Sequence, residues 1–120
     1  IQEVAIDRWN ATQVAVWLEQ DGFSVAFFGQ GYRSMSAPSK ELEASVMGKR
    51  FRHDNHPVLR WNASVCSHEM DAAGNIKPSQ KRSGERIDGI VAAVMDLGRS
   101  TAAREHDISS VYEERGLETL

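Results

Sequence analysis

Residues 1–28 read IQEVAIDRWNATQVAVWLEQDGFSVAFF, and this stretch decides the fold class. Ile1 to Asp7 alternates weakly and is bounded by Arg8-Trp9-Asn10, which marks a short strand. Asn10 is a candidate N-cap for a helix running to about Asp21, with Gly22 as its stop. Ala11, Val14, Ala15 and Leu18 share one face of that helix at 3.6-residue spacing. Ser24-Val25-Ala26-Phe27-Phe28 is nearly continuous in apolar residues and reads as a second strand. Strand, helix and apolar strand in that order predict a βαβ unit of a parallel sheet, and so an α/β fold.

Working outward, Gly29-Gln30-Gly31 ends the second strand, and Ser36 to Pro38 opens a helix over about Pro38 to Met47. Proline in a first turn is favourable because that N–H has no helical partner. Leu42 and Val46 are its expected inward residues. Pro57 to Ala63 is a further short helix. Val65 to Met70 and Asn75 to Lys77 flank Asp71-Ala72-Ala73-Gly74 as a hairpin, where Gly74 supplies the positive φ of a tight turn. A polar, basic stretch from Lys77 to Arg86 leads into a helix over about Glu85 to Gly98, whose apolar face is Ile87, Ile90, Val91, Val94, Met95 and Leu97. Arg99 to His106 reads as a connector. Ile108, Val111, Tyr112 and Leu117 mark a tail that packs on something, which divides the chain at 1–98 and 99–120. There is no internal repeat and no low-complexity segment.

At 120 residues the chain holds one compact domain, and 41% apolar residues are enough for a real core. The net charge of −3 means that nucleic-acid contact must come from a local basic patch. No apolar run is long enough to span a bilayer, and there is no signal-peptide pattern. Cys66 is the single cysteine, which rules out an internal disulfide and fits a reducing cytosol. The opening at Ile1, without an initiator methionine, suits a fragment or a processed start.

Two aspartates stand out by position. Asp7 closes the first strand, at the end where open α/β sheets place their sites. At about 100° per residue, Asp88 falls at the margin of the last helix's apolar arc, beside Val91 and Met95, with its carboxylate directed along the edge of the core. Paired carboxylates on different elements suit a hard divalent cation holding phosphate oxygens. Equally, Asp88 in a first helical turn answers the helix dipole, and Asp7 can simply start a turn. The basic cluster Lys77, Lys81, Arg82 and Arg86 precedes Asp88 and is placed to grip phosphates, or is solvated surface. His53 and His56 have metal-ligand spacing, but Pro57 argues for a loop and no cysteine stands near them. Cys66 reads as a lone buried thiol. Gly29-Gln30-Gly31 is too short for a phosphate-binding loop and has no Walker lysine. Trp9 and Trp61 are expected in core or groove packing.

Several segments together resemble the C-terminal nuclease domain of the large terminase subunits of tailed phages and prophages. They are Val4-Ala5-Ile6-Asp7-Arg8-Trp9-Asn10-Ala11, Phe28-Gly29-Gln30-Gly31-Tyr32 with Ser34-Met35-Ser36-Ala37-Pro38, His56-Pro57-Val58-Leu59-Arg60-Trp61, and Gly74-Asn75-Ile76-Lys77-Pro78. The most specific is Arg86-Ile87-Asp88-Gly89-Ile90-Val91-Ala92-Ala93, and Ser110-Val111-Tyr112-Glu113-Glu114-Arg115-Gly116 resembles the family's usual end. The stretch Ser64-Val65-Cys66-Ser67-His68 departs from the asparagine-containing pattern of the family.

The resemblance implies a partial RNase H-like nuclease fold, α/β, with a mixed sheet flanked by helices. It implies hydrolysis of DNA phosphodiesters in viral concatemers, with Mg²⁺ or Mn²⁺ held by acidic residues. By motif position Asp7 corresponds to the second acidic ligand and Asp88 to the last. Lys81 becomes a contact to the phosphate or to the transition state. The family's ATPase, and the nuclease's first strand with its leading aspartate, have no counterpart here, so cation binding is expected to be weak or absent. Implied partners are double-stranded DNA, other terminase subunits and portal or capsid components, with self-association and no membrane, in the cytoplasm of a bacterial host. The rival expectation is an inactive prophage remnant that self-associates or docks a packaging partner.

Overall fold

In a computed structural model of the chain, which describes residues 1–9 and 11–119 without the side chains of 107 and 112–119, the βαβ unit forms as the pattern requires. Strand β1 (Val4–Asp7) pairs in parallel with β2 (Val25–Phe28), from Val4 opposite Val25 to Asp7 opposite Phe28. Helix α1 (Thr12–Gln20) joins them and buries Ala15. Gly22 ends it at φ +90, a conformation glycine adopts without steric cost. The expected N-cap, Asn10, lies outside the described residues.

Helix α2 spans Tyr32–Met47, starting well before the expected Pro38. The Gly31 carbonyl accepts the N–H groups of Ser34 and Met35, which closes the first turn there. Pro38 therefore sits inside the helix, and it is buried. Leu42 packs on the core, whereas Val46, expected inward, is 54% exposed. Helix α3 (Pro57–Val65) follows, then the hairpin β3 (Ser67–Met70) and β4 (Ile76–Ser79), antiparallel, with Gly74 at φ +82 in its turn.

The mixed sheet takes the form of two separate pairs, β1-β2 and β3-β4. At Ile76 the N–H donates to the buried Ser36 Oγ at 3.1 Å. That group of β4 is thus answered by helix α2 instead of by another strand.

Helix α4 runs unbroken over Asp88–Thr119, so Arg99 to His106 is helical and not a connector. Gly98 is not its stop. A Cβ there would lie 2.8 Å from two ring carbons of Phe28 and 3.3 Å from Pro38 Cγ. Glycine at 98 lets α4 approach β2 and α2, and Ala102-Ala103-Arg104-Glu105 beyond it favour continued helix. The core is Phe28, Met35, Ile87, Val91, Val94 and Met95, joined by Ala5, Leu42, Val65 and Cys66. Four of the six apolar positions expected on the last helix's face are buried, and Ile90 and Leu97 are half-buried.

None of the three tryptophans is core. Trp9 follows β1 in a turn and is 81% exposed. Trp61 is turned outward because its neighbour Asn62 takes the buried face of α3. Ile108 and Val111 remain about half exposed, and the side chains of Tyr112 and Leu117 lie outside the described residues, as do those of the closing motif from Tyr112 to Gly116. Among the described residues, no helix is long and apolar enough to cross a membrane.

Candidate functional site

Asp7 is the last residue of β1 and half-buried. Its Oδ1 accepts the Trp9 N–H at 3.2 Å, so it does start a turn.

Asp88 is the first residue of α4, and its side chain is exposed, not aligned along the core margin. Ile87 beside it takes the core position, at 0% exposure, and its carbonyl accepts the N–H groups of Ile90 and Val91. On the other side Gly89 N–H donates to Asn62 Oδ1 at 2.8 Å. Asn62 is itself only 3% exposed. An exposed carboxylate thus stands on a backbone anchored on both flanks.

Glu3 is bound by Arg99, and Ala92, Met95 and Arg99 line one groove with Glu3, Val4 and Ala5. After β2, Gln30 reaches Met95 Sδ at 3.8 Å and shares a cleft with Val91 and Lys81. Phe28, opposite Asp7 in the β1-β2 ladder, packs against Gly98 of α4, on the order of 15 Å along the helix from Asp88.

The basic cluster divides. Lys77 is compensated: its Nζ is 3.3 Å from Glu69 Oε1, directly across the hairpin, and 4.9 Å from the centre of the Tyr32 ring. Tyr32 O–H donates to the same Glu69 oxygen at 3.3 Å. The Glu69 carboxyl is held below the usual range, first by a hydrogen bond from Ser79 and against partial desolvation, with help from Lys77. Desolvation and the neighbouring Glu69 charge raise the Tyr32 phenol. Lys81, Arg82 and Arg86 form no ion pair among the described residues. Lys81 lines a cleft of about 290 Å³ with Gln30, Glu69, Lys77 and Gln80.

Sequence reasoning passed over the serines that shape this turn. Ser79, 1% exposed, accepts the Arg82 N–H on its Oγ at 3.2 Å and the Ser83 N–H on its carbonyl at 3.0 Å. Ser83 Oγ in turn accepts the Ser67 N–H at 3.0 Å. Serine is so common in polar loops that no sequence signal separated these two. Asn62 was passed over too, since a polar residue inside a short helix reads as surface.

His53 and His56 belong to a loop, as Pro57 implied. Asp54 and Asn55 between them have φ 48 and 56, and His56 Nδ1 accepts the Val58 N–H to cap α3. Cys66 is half-buried against the core, and burial raises its thiol pKa. Among the described residues no three His, Cys, Asp or Glu side chains gather as a metal site. Asp7 and Asp88 are hard oxygen donors. Their chemistry fits one hydrated Mg²⁺ or Mn²⁺, which keeps several waters beside one or two carboxylates; a two-cation cage needs more.

The family model described as "Terminase large subunit, endonuclease domain" matches residues 1–105. The chain is 36% identical to the large terminase subunit of Enterobacteria phage HK97 over 82% of its own length and 20% of that protein. It is 31% identical to Protein YmfN of Escherichia coli (strain K12) over 100% of its length and 27% of that protein. The crystal structure of the HK97 bacteriophage large terminase superposes with a TM-score of 0.74 at 36% identity, covering 81% of this chain and 21% of that one. The chain thus spans about a quarter or less of the length of these relatives.

Proposed function

The chain belongs to the terminase large subunit endonuclease-domain family, and from that premise we propose that it is part of an RNase H-like, metal-dependent DNA endonuclease that cuts concatemeric viral DNA during packaging. The observation that supports the reading is the family match over residues 1–105, together with Asp7 at the carboxyl end of β1 and an exposed Asp88 at the amino end of α4. Asp7 and Asp88 are the cation ligands. A bound Mg²⁺ or Mn²⁺ would supply Lewis-acid activation of water and of a phosphate oxygen. Lys81 reaches toward a phosphate or the charge that develops on it, and Arg82 and Arg86 hold the flanking backbone. Lys77 contributes less, because Glu69 already offsets its charge. The natural partners are double-stranded DNA and the other packaging components, namely terminase subunits, portal and capsid, in the cytoplasm of the host.

A duplex-binding titration by fluorescence anisotropy, with and without Mn²⁺, tests this. Wild type should bind more tightly with Mn²⁺, and Asp7→Ala and Asp88→Ala should each remove that increment. Lys81→Ala should weaken binding under both conditions and reduce the salt slope by about 1. Affinity that ignores Mn²⁺ and all three substitutions would overturn the proposal.

A second reading, a non-catalytic module that self-associates or docks a packaging partner, is favoured by one observation. Trp9, Trp17, Phe23 and Phe27 are exposed around α1 and the β1-β2 pair, an apolar surface of the kind that a partner covers.

A further inference from the structure

Asn62 is the most deeply buried polar side chain that bears on the amino end of α4. It sits on the face of α3 that packs against α4, and its Oδ1 accepts the Gly89 N–H at 2.8 Å. Gly89 is shaped to that contact. A Cβ at 89 would lie 2.8 Å from Asn62 Oδ1, 3.6 Å from its Cγ and 3.5 Å from Leu59 Cδ1. On the opposite flank of Asp88 the wholly buried Ile87 fixes the chain. An exposed aspartate in the first turn of a surface helix ordinarily has a frayed backbone, since the first amides of a helix have no intrahelical acceptor. Here the amide that follows Asp88 is tied to a buried side chain of another helix.

We propose that Asn62 is a positioning residue for Asp88: through the Gly89 amide it locks the amino end of α4 to α3, and so sets where the Asp88 carboxylate can meet a divalent cation. The inference rests on Asp88 being a ligand, as proposed above. Asn62 itself touches neither cation nor DNA. Outer partners of this kind change metal affinity without supplying a donor, commonly by about ten- to a hundred-fold.

The test is Mn²⁺ affinity by electron paramagnetic resonance on the full chain, together with the melting temperature of the metal-free protein. Asp88→Asn, measured first, asks whether the underlying reading holds. Unchanged Mn²⁺ affinity there, or no binding by wild type, removes the site and the inference with it. If Asp88→Asn does abolish binding, Asn62→Leu should weaken it by about ten-fold or more, and Asn62→Asp, which keeps an oxygen facing Gly89, should restore most of it. Gly89→Ala, which displaces Asn62 Oδ1 from the other side, should reproduce the loss, and it decides the question if Asn62→Leu does not fold. Wild-type affinity in a folded Asn62→Leu or Gly89→Ala protein, whatever the change in melting temperature, would reduce Asn62 to a packing residue.

Discussion

Arg99 grips Glu3 with two hydrogen bonds, Nε to Oε1 at 2.6 Å and Nη2 to Oε2 at 3.1 Å, and ties the start of β1 to the middle of α4. The Arg99 guanidinium holds the Glu3 carboxyl below the usual glutamate range. A carboxyl whose folded pKa is depressed stabilises the fold above its unfolded value, and loses that contribution as pH falls through the folded one. Both side chains are about a third exposed, so the contribution is at most about 1 kcal/mol. Glu3→Gln should therefore lower the melting temperature slightly at neutral pH and leave it unchanged once the medium is acid enough to protonate Glu3. An equal loss at both pH values would place the effect outside the charge. At this scale the sequence was legible where residue type and position coincide. Asp7 ends a strand, as its pattern implied, and Asp88 opens a helix that the pattern began at about Glu85. Asn62 and Ser79 were not legible, because their importance comes from burial against distant elements, which no local pattern encodes.

Gly98 shows the same limit for an element. Glycine after an amphipathic run reads as a helix stop, yet here it marks a crossing point at which α4 meets Phe28 and Pro38. Gly98→Leu should cost about 1–3 kcal/mol by overpacking, despite leucine's better helix propensity. Chemical denaturation would measure it, and a variant as stable as wild type would mean that Gly98 is there only to break the helix. The βαβ unit, the hairpin and α3 were readable because their periodicity, turn glycines and N-terminal proline are local signals. The start of α2 was not, since Pro38 imitates a first-turn proline while Gly31 does the capping. Asp54 and Asn55 both adopt positive φ, and His53 and His56 lie in the loop that they turn.

For the whole molecule, the radius of gyration of 16.7 Å exceeds the roughly 14 Å of a compact chain this long. Part of the excess is α4. Trp9, Trp17, Phe23 and Phe27 remain exposed around α1 and the β1-β2 pair, and apolar surface with a two-stranded sheet edge favours association with another copy. Sedimentation at micromolar concentration should show a dimer or larger; a well-folded monomer would mean that this surface is tolerated in water. The 120-residue chain should nick plasmid DNA poorly in Mn²⁺, because Asp7 and Asp88 offer fewer oxygens than two cations require. Robust nicking that Asp88→Ala abolishes would show that the donors here suffice. The most direct test of the central claim, that Asp88 is a cation ligand and not merely an answer to the helix dipole, is the melting temperature of wild type and Asp88→Asn with and without millimolar Mn²⁺. Binding to the native state raises apparent stability. Wild type should therefore shift upward with Mn²⁺, and Asp88→Asn, as stable as wild type or slightly more so without metal, should not shift. An equal response in both proteins, with Asp88→Asn less stable by up to about 1 kcal/mol, would leave Asp88 as a dipole partner alone.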